Sequence, residues 1–279
     1  MSKDPLAYFA APAPMSDLSR FADRLQELPV DLPGLVTALQ GLMVHIFWAK
    51  AYGLELDETR KTEVQIRPAW RKLVRLLELD AAPLNQARLP ERRLVGNCRD
   101  FTLLLVSFLR ARGVPARARC GFGTYFTPGH FEDHWVAEVW QDGRWVQVDA
   151  QLDALQRDRL GIRFDPLHLP EGAFLTGGQA WQLCRAGKAN PDDFGIFEWK
   201  GWSFIAGDLL RDVLALRKFE ILPWDHWEGM GPALEEAPAA AWERMDRLAA
   251  LADHFDDNPA ELWQEMEEGG WLPPEEWAA

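Results

Sequence analysis

The run FTLLLVSFL, residues 101–109, limits the possible folds more than any other stretch of the chain. Phe101, Leu104, Leu105, Phe108 and Leu109 fall at the i, i+3, i+4, i+7, i+8 positions of one helical stripe, and Leu103 and Val106 carry the apolar surface further round the cylinder. A helix of this kind must be covered on several sides. Asn97 is placed to cap its start and Gly113 to end it, which leaves Cys98 in the first turn, where a charged, glycine-containing loop becomes helix. A structural cysteine would more naturally lie inside the apolar run, so a thiol at the helix mouth needs a reason. With 279 residues, 48% of them hydrophobic, the chain has material for one large domain or two small ones.

The first ninety residues read as all-helical. Ser16 can cap a helix over about 17–28, Pro33 suits the first turn of another reaching about Tyr52, and a third covers about Asp57 to Leu79 with a break at Pro68. After the buried helix the pattern changes. ARARCGF reads as a strand, GTYFTPGHFE as a glycine-rich loop bordering a cleft, and DHWVAEVW and RWVQVD as two strands joined at Asp142-Gly143. A helix followed by an antiparallel meander predicts an α+β fold. Further helices are expected at Leu209 to Arg217, in QAWQLCRAG, and in the acidic tail at Ala239 to Ala252 and Pro259 to Glu267. The expected division is a helical region, 1–90, packed on a core, 91–230, with an acidic helical extension, 231–279.

The hairpin fixes a register. If Asp142-Gly143 is a two-residue turn, Gln141 faces Arg144, Val136 lies opposite Asp149, and His134 is one same-face step further. His134 and Asp149 are then diagonal neighbours about 7 Å apart at Cβ, within reach of an imidazole–carboxylate contact. That pair is a base with an orienting acid, and Cys98 supplies a nucleophile. Unpaired N–H groups at a helix N-terminus favour thiolate and can bind the oxyanion formed when sulfur attacks a carbonyl. Asp100 opposes that field, although its expected task is to complete the cap with Asn97. The three residues suit acyl transfer through a thioester, released to water or to an amine.

The segments GNCRDFTLLLVSFLRARGVPARARCGF, DHWVAEVW and WVQVDAQLD resemble the transglutaminase-like superfamily of papain-like thiol enzymes, in the form common among bacterial proteins. The resemblance covers about 60 residues, and the spacings of 36 residues from Cys98 to His134 and 15 to Asp149 are of the sort that family shows. It implies a papain-like core in which a helix beginning with the nucleophile packs on an antiparallel sheet. It also implies Cys98 as nucleophile, His134 as general base and acid, and Asp149 as orienter. The expected activity is a cofactor-free hydrolase or acyltransferase acting on an amide, peptide or ester carbonyl, with protease or amidase expected over protein cross-linking. The alternative is a catalytically silent interaction module that retains the fold. The upstream side chain that completes the oxyanion site in parts of this superfamily has no clear match; Trp48 and Trp70 are the residues at hand.

Other features narrow the function. His130 and His134 in HFEDH have helical zinc spacing, but Pro128-Gly129 before them and strand alternation after them argue against a helix, so no metal is expected. Cys120 and Cys184 read as packed small hydrophobes, and His226, in a second Asp-His-Trp tripeptide, as aromatic packing. Three cysteines without a Cys-x-x-Cys spacing encode neither a disulfide framework nor a zinc site. With an N-terminus unlike a signal peptide, and an apolar stretch at 35–54 broken by Gln40, Gly41, His45 and Lys50, they predict a cytoplasmic protein without a membrane span. The net charge of −13 is concentrated in residues 231–279, where 13 acids face 2 arginines. Such a balance speaks against nucleic acid and leaves a basic protein as the partner the tail would suit.

Overall fold

The computed structural model describes residues 4–230 and 233–278. Its helices up to the apolar run are α1 (Pro5–Ala10), α2 (Ala22–Leu25), α3 (Leu32–Leu42), α4 (Glu58–Lys61), α5 (Ala69–Leu79) and α6 (Cys98–Arg110). All of α6 is buried, with α3 and α5 against one side and the sheet against another. The apolar stripe and its flanks therefore have the cover they need.

Among the described residues eight strands are formed: β1 (Met43–His45), β2 (Leu94–Gly96), β3 (Ala116–Gly123), β4 (Phe131–Gln141), β5 (Arg144–Val148), β6 (Phe174–Thr176), β7 (Phe194–Ile196) and β8 (Trp199–Lys200). The main sheet runs β6-β3-β4-β7-β8, with β5 also on β4. The fold is α+β. The sheet departs from the fully antiparallel expectation in one pair, since β4 and β7 run parallel. The hairpin has the expected register, from Gln141↔Arg144 to Ala137↔Val148. Asp142 and Gly143 both sit at positive φ, 50° and 80°, the backbone of a turn whose twist matches the flanking strands.

The first ninety residues are not all-helical. α3 ends at Leu42, and Met43–His45, expected inside a long helix, instead pair in parallel with Leu94–Gly96. Backbone bonds to a distant strand outweigh the local helical pattern there. The expected helix at 17–28 is reduced to a 3-10 turn, Ser19–Phe21, and the four-residue α2. Ser16 does not cap it; its hydroxyl accepts from the Ala13 N–H and from Arg110 at the end of α6.

The remaining helices are α7 (Ala154–Leu160), α8 (Gly177–Arg185), α9 (Trp202–Leu216), α10 (Ala239–Asp253) and α11 (Pro259–Gly269). α8 to α11 share an apolar cluster with Phe122 and Phe194 of the sheet. β6 pairs only with Gly121–Gly123 of β3, and α9 closes the strand edge beyond, where Asp212 accepts from the Cys120 N–H at 3.0 Å. Among the described residues no helix is long and apolar enough to cross a membrane.

Candidate active site

Cys98 opens α6, and the cap around it is closed in both directions. Asn97 accepts from the Asp100 N–H, and the Asp100 carboxylate accepts from the Asn97 N–H, each at 3.2 Å. Asp100 is also paired with Lys72 at 2.8 Å and Arg99 at 3.0 Å, all three fully buried, so much of its charge is compensated before it can oppose a thiolate. In this setting Lys72 falls to about 8, because its burial outweighs the attraction of Asp100.

The Cys98 sulfur faces two backbone N–H groups, those of Trp135 and Arg99. Trp135 directly follows His134 on β4, so this contact ties the helix mouth to the histidine's strand. Both N–H groups draw the thiol's pKa downward, as the helix-mouth expectation requires. They are outweighed. Cys98 is 9% exposed, and burial first, the nearby Asp133 charge second, push its thiol well above the ordinary range. Burial thus works against the thiolate that the helix field alone would favour.

His134 Nε2 lies 2.8 Å from Asp149 Oδ2, the diagonal contact that the hairpin register requires, although Asp149 stands just past the last paired residue of β5. Both are buried, at 2% and 0% exposure. Asp149 has two further donors: the Gln151 N–H on Oδ1 at 2.9 Å and the Tyr125 hydroxyl on Oδ2 at 2.7 Å. With Nε2 engaged by the carboxylate, Nδ1 is the nitrogen left to serve another group.

Three residues near this pair, Tyr125, Phe126 and His45, were not singled out from the sequence as site residues. Tyr125, in the loop between β3 and β4, sets its ring edge-on to His134 at 6.0 Å between centroids, and Phe126 does so at 4.8 Å. His45, at the end of β1, lies close enough to His134 and Asp149 for their charges to bear on it. Burial first and His134 second lower it to about 3, so it stays neutral. Its Nδ1 accepts from the Phe47 N–H at 3.2 Å. Trp70 is taken up by Arg20, whose guanidinium lies 4.0 Å from the ring centre.

The histidine pair at 130 and 134 does not form a zinc site. His134 is in strand and turned to Asp149, whereas His130 Nε2 lies 3.2 Å from the Gly195 carbonyl. Among the described residues one group offers metal-type donors close together: Cys120, Asp133 and Asp208, with ligand atoms within 4.8 Å of one another. Arg211 supplies a positive charge there, donating to Asp208 at 3.2 Å. Burial pushes Asp133 up to about 6 and Asp208 well above the carboxylate range, so the pair carries less than its full charge. In the second Asp-His-Trp tripeptide, Asp225 binds Arg67, Trp227 is buried and His226 is exposed.

Residues 80–150 match the model of the transglutaminase-like superfamily, a segment running through β2, α6 and the β3–β5 meander to Asp149. A crystal structure of a candidate cysteine protease from Cytophaga hutchinsonii is similar at 16% identity, covering 61% of this chain and 45% of that one, with a TM-score of 0.35. The likeness thus spans less than half the length of that protein. No curated protein matches the chain.

Proposed function

We propose, from the premise that residues 80–150 belong to the transglutaminase-like superfamily, that this chain is a thiol hydrolase or acyltransferase acting on an amide, peptide or ester carbonyl. The observation that supports this most is the 2.8 Å contact between His134 and Asp149, on the strand and turn beside the helix that Cys98 opens.

Because burial pushes the Cys98 thiol's pKa up, His134 acts as a general base during attack. Its Nδ1 takes the Cys98 proton as sulfur bonds to the carbonyl carbon, while Asp149 holds the imidazolium through Nε2. N–H groups at the mouth of α6 receive the oxyanion. Collapse of the tetrahedral species expels the amine or alcohol, which takes the proton from His134 and leaves a thioester on Cys98. Water or an amine then attacks, His134 again relaying the proton, and the thiol is restored.

A second reading, a silent module that keeps the fold, is favoured by one observation: Cys98 is buried, which pushes its thiol's pKa up. Alkylation separates the two. With iodoacetamide at neutral pH and intact-mass detection, the enzyme reading expects one adduct, at Cys98. Cys98→Ala abolishes it and His134→Ala slows it about a hundredfold. A Cys98 whose rate ignores His134, or labelling confined to Cys120 or Cys184, sinks the enzyme reading and leaves the silent module.

A further inference from the structure

We propose that Tyr125 is a positioning residue of this site, its hydroxyl sharing one carboxylate oxygen of Asp149 with His134 and so setting how strongly Asp149 holds the imidazolium. The inference rests on the reading of His134 as base.

The geometry is specific. The Tyr125 hydroxyl reaches Asp149 Oδ2 at 2.7 Å, and His134 Nε2 reaches the same atom at 2.8 Å. Burial and the adjacent Asp149 push the phenol well above its ordinary range, so it remains a donor. The loop that carries it is tied down: the Thr124 N–H donates to the Ala173 carbonyl at 2.9 Å, and the Tyr125 ring meets Phe126 and Phe164 at 4.6 Å and 5.4 Å. A side chain at Gly123 would displace this packing, since a Cβ would come within 2.7 Å of the Phe126 ring. The tyrosine is thus held to the carboxylate by its own loop rather than resting against it.

A hydroxyl that donates to a carboxylate draws on the charge that would otherwise face the imidazole. Removing it leaves Asp149 free to favour imidazolium more strongly. The titratable groups around His134 are Cys98 from α6, Asp149 from beyond β5, Asp133 from β4 itself, and His45 from the end of β1, and none of them takes the place of the Tyr125 hydroxyl on Oδ2.

The test follows His134 directly, by NMR titration of isotope-labelled histidine in the full chain. Tyr125→Phe should raise the His134 midpoint by about half a unit to one pH unit. A fluorinated tyrosine at position 125, whose more acidic hydroxyl donates more strongly, should lower it. If the Phe variant fails to fold, the fluorinated one, which keeps ring and hydroxyl, decides alone. A midpoint that moves with neither replacement overturns the proposal. Iodoacetamide labelling of the wild-type protein keeps the two readings apart. An inert Cys98 with a moved midpoint retains the tyrosine's role and removes the enzyme, and a reactive Cys98 with a fixed midpoint does the reverse.

Discussion

Asp149 accepts from a backbone N–H, a phenol and an imidazole while fully buried, an arrangement that fixes its orientation from three directions. A carboxylate in that position determines which imidazole nitrogen carries hydrogen, and an amide in its place would turn N–H toward N–H. Asp149→Asn should therefore leave the fold intact by circular dichroism yet slow acylation of Cys98 by an activated ester about a thousandfold. The residue scale is also where the sequence was least informative. The meeting of His134 and Asp149 was legible, because a two-residue turn leaves only one register. Tyr125 was not, since its reach depends on the path of an irregular loop, and His45 was hidden inside an apolar run that reads as helix. At Cys98 the helix-mouth field could be inferred from spacing, but its depth of burial could not.

At the scale of elements, α6 needed the least tertiary information. Its composition demands burial on several sides, its first turn carries a cap in both directions, and Gly113, at φ 72°, ends it. Asn97→Ala should cost about 1 kcal/mol in urea unfolding, the usual loss of a side-chain cap. The strand β3 shows the opposite limit. Its alternating arginines, Arg117 and Arg119, look like a solvated face, yet both are buried against Glu138, Asp212 and Asp256. The helix that carries Asp212 is legible in the sequence, but nothing local to β3 announces that it crosses the edge of the strand. β1 escaped for the same reason, since its partner lies some fifty residues away.

Across the whole molecule, that buried network of charge links the sheet to the last third of the chain and makes stability depend on acidity. Burial works to raise Glu138, but Arg117 and Arg119 outweigh it and hold the carboxyl at about 2, below the 4.5 of a free side chain. Its contribution is therefore complete above about 4.5 and disappears as the pH falls toward 2. Between pH 5 and pH 3 this one group should remove about 2 kcal/mol of unfolding free energy. Urea titrations at the two values, compared with Glu138→Gln, would show that slope flattened in the variant; equal slopes would refute the assignment.

The short parallel pairing of Met43–His45 with Leu94–Gly96 closes a long excursion of the chain immediately before Cys98. Everything from Ile46 to Arg93 leaves from and returns to the same seam, and residues on both sides of that seam enter one apolar cluster around α6. A cut within the excursion would sever the covalent thread without opening the molecule, because the pieces would stay clasped beside the sulfur. The surroundings of Cys98 thus depend on two lengths of polypeptide that need not be continuous with each other.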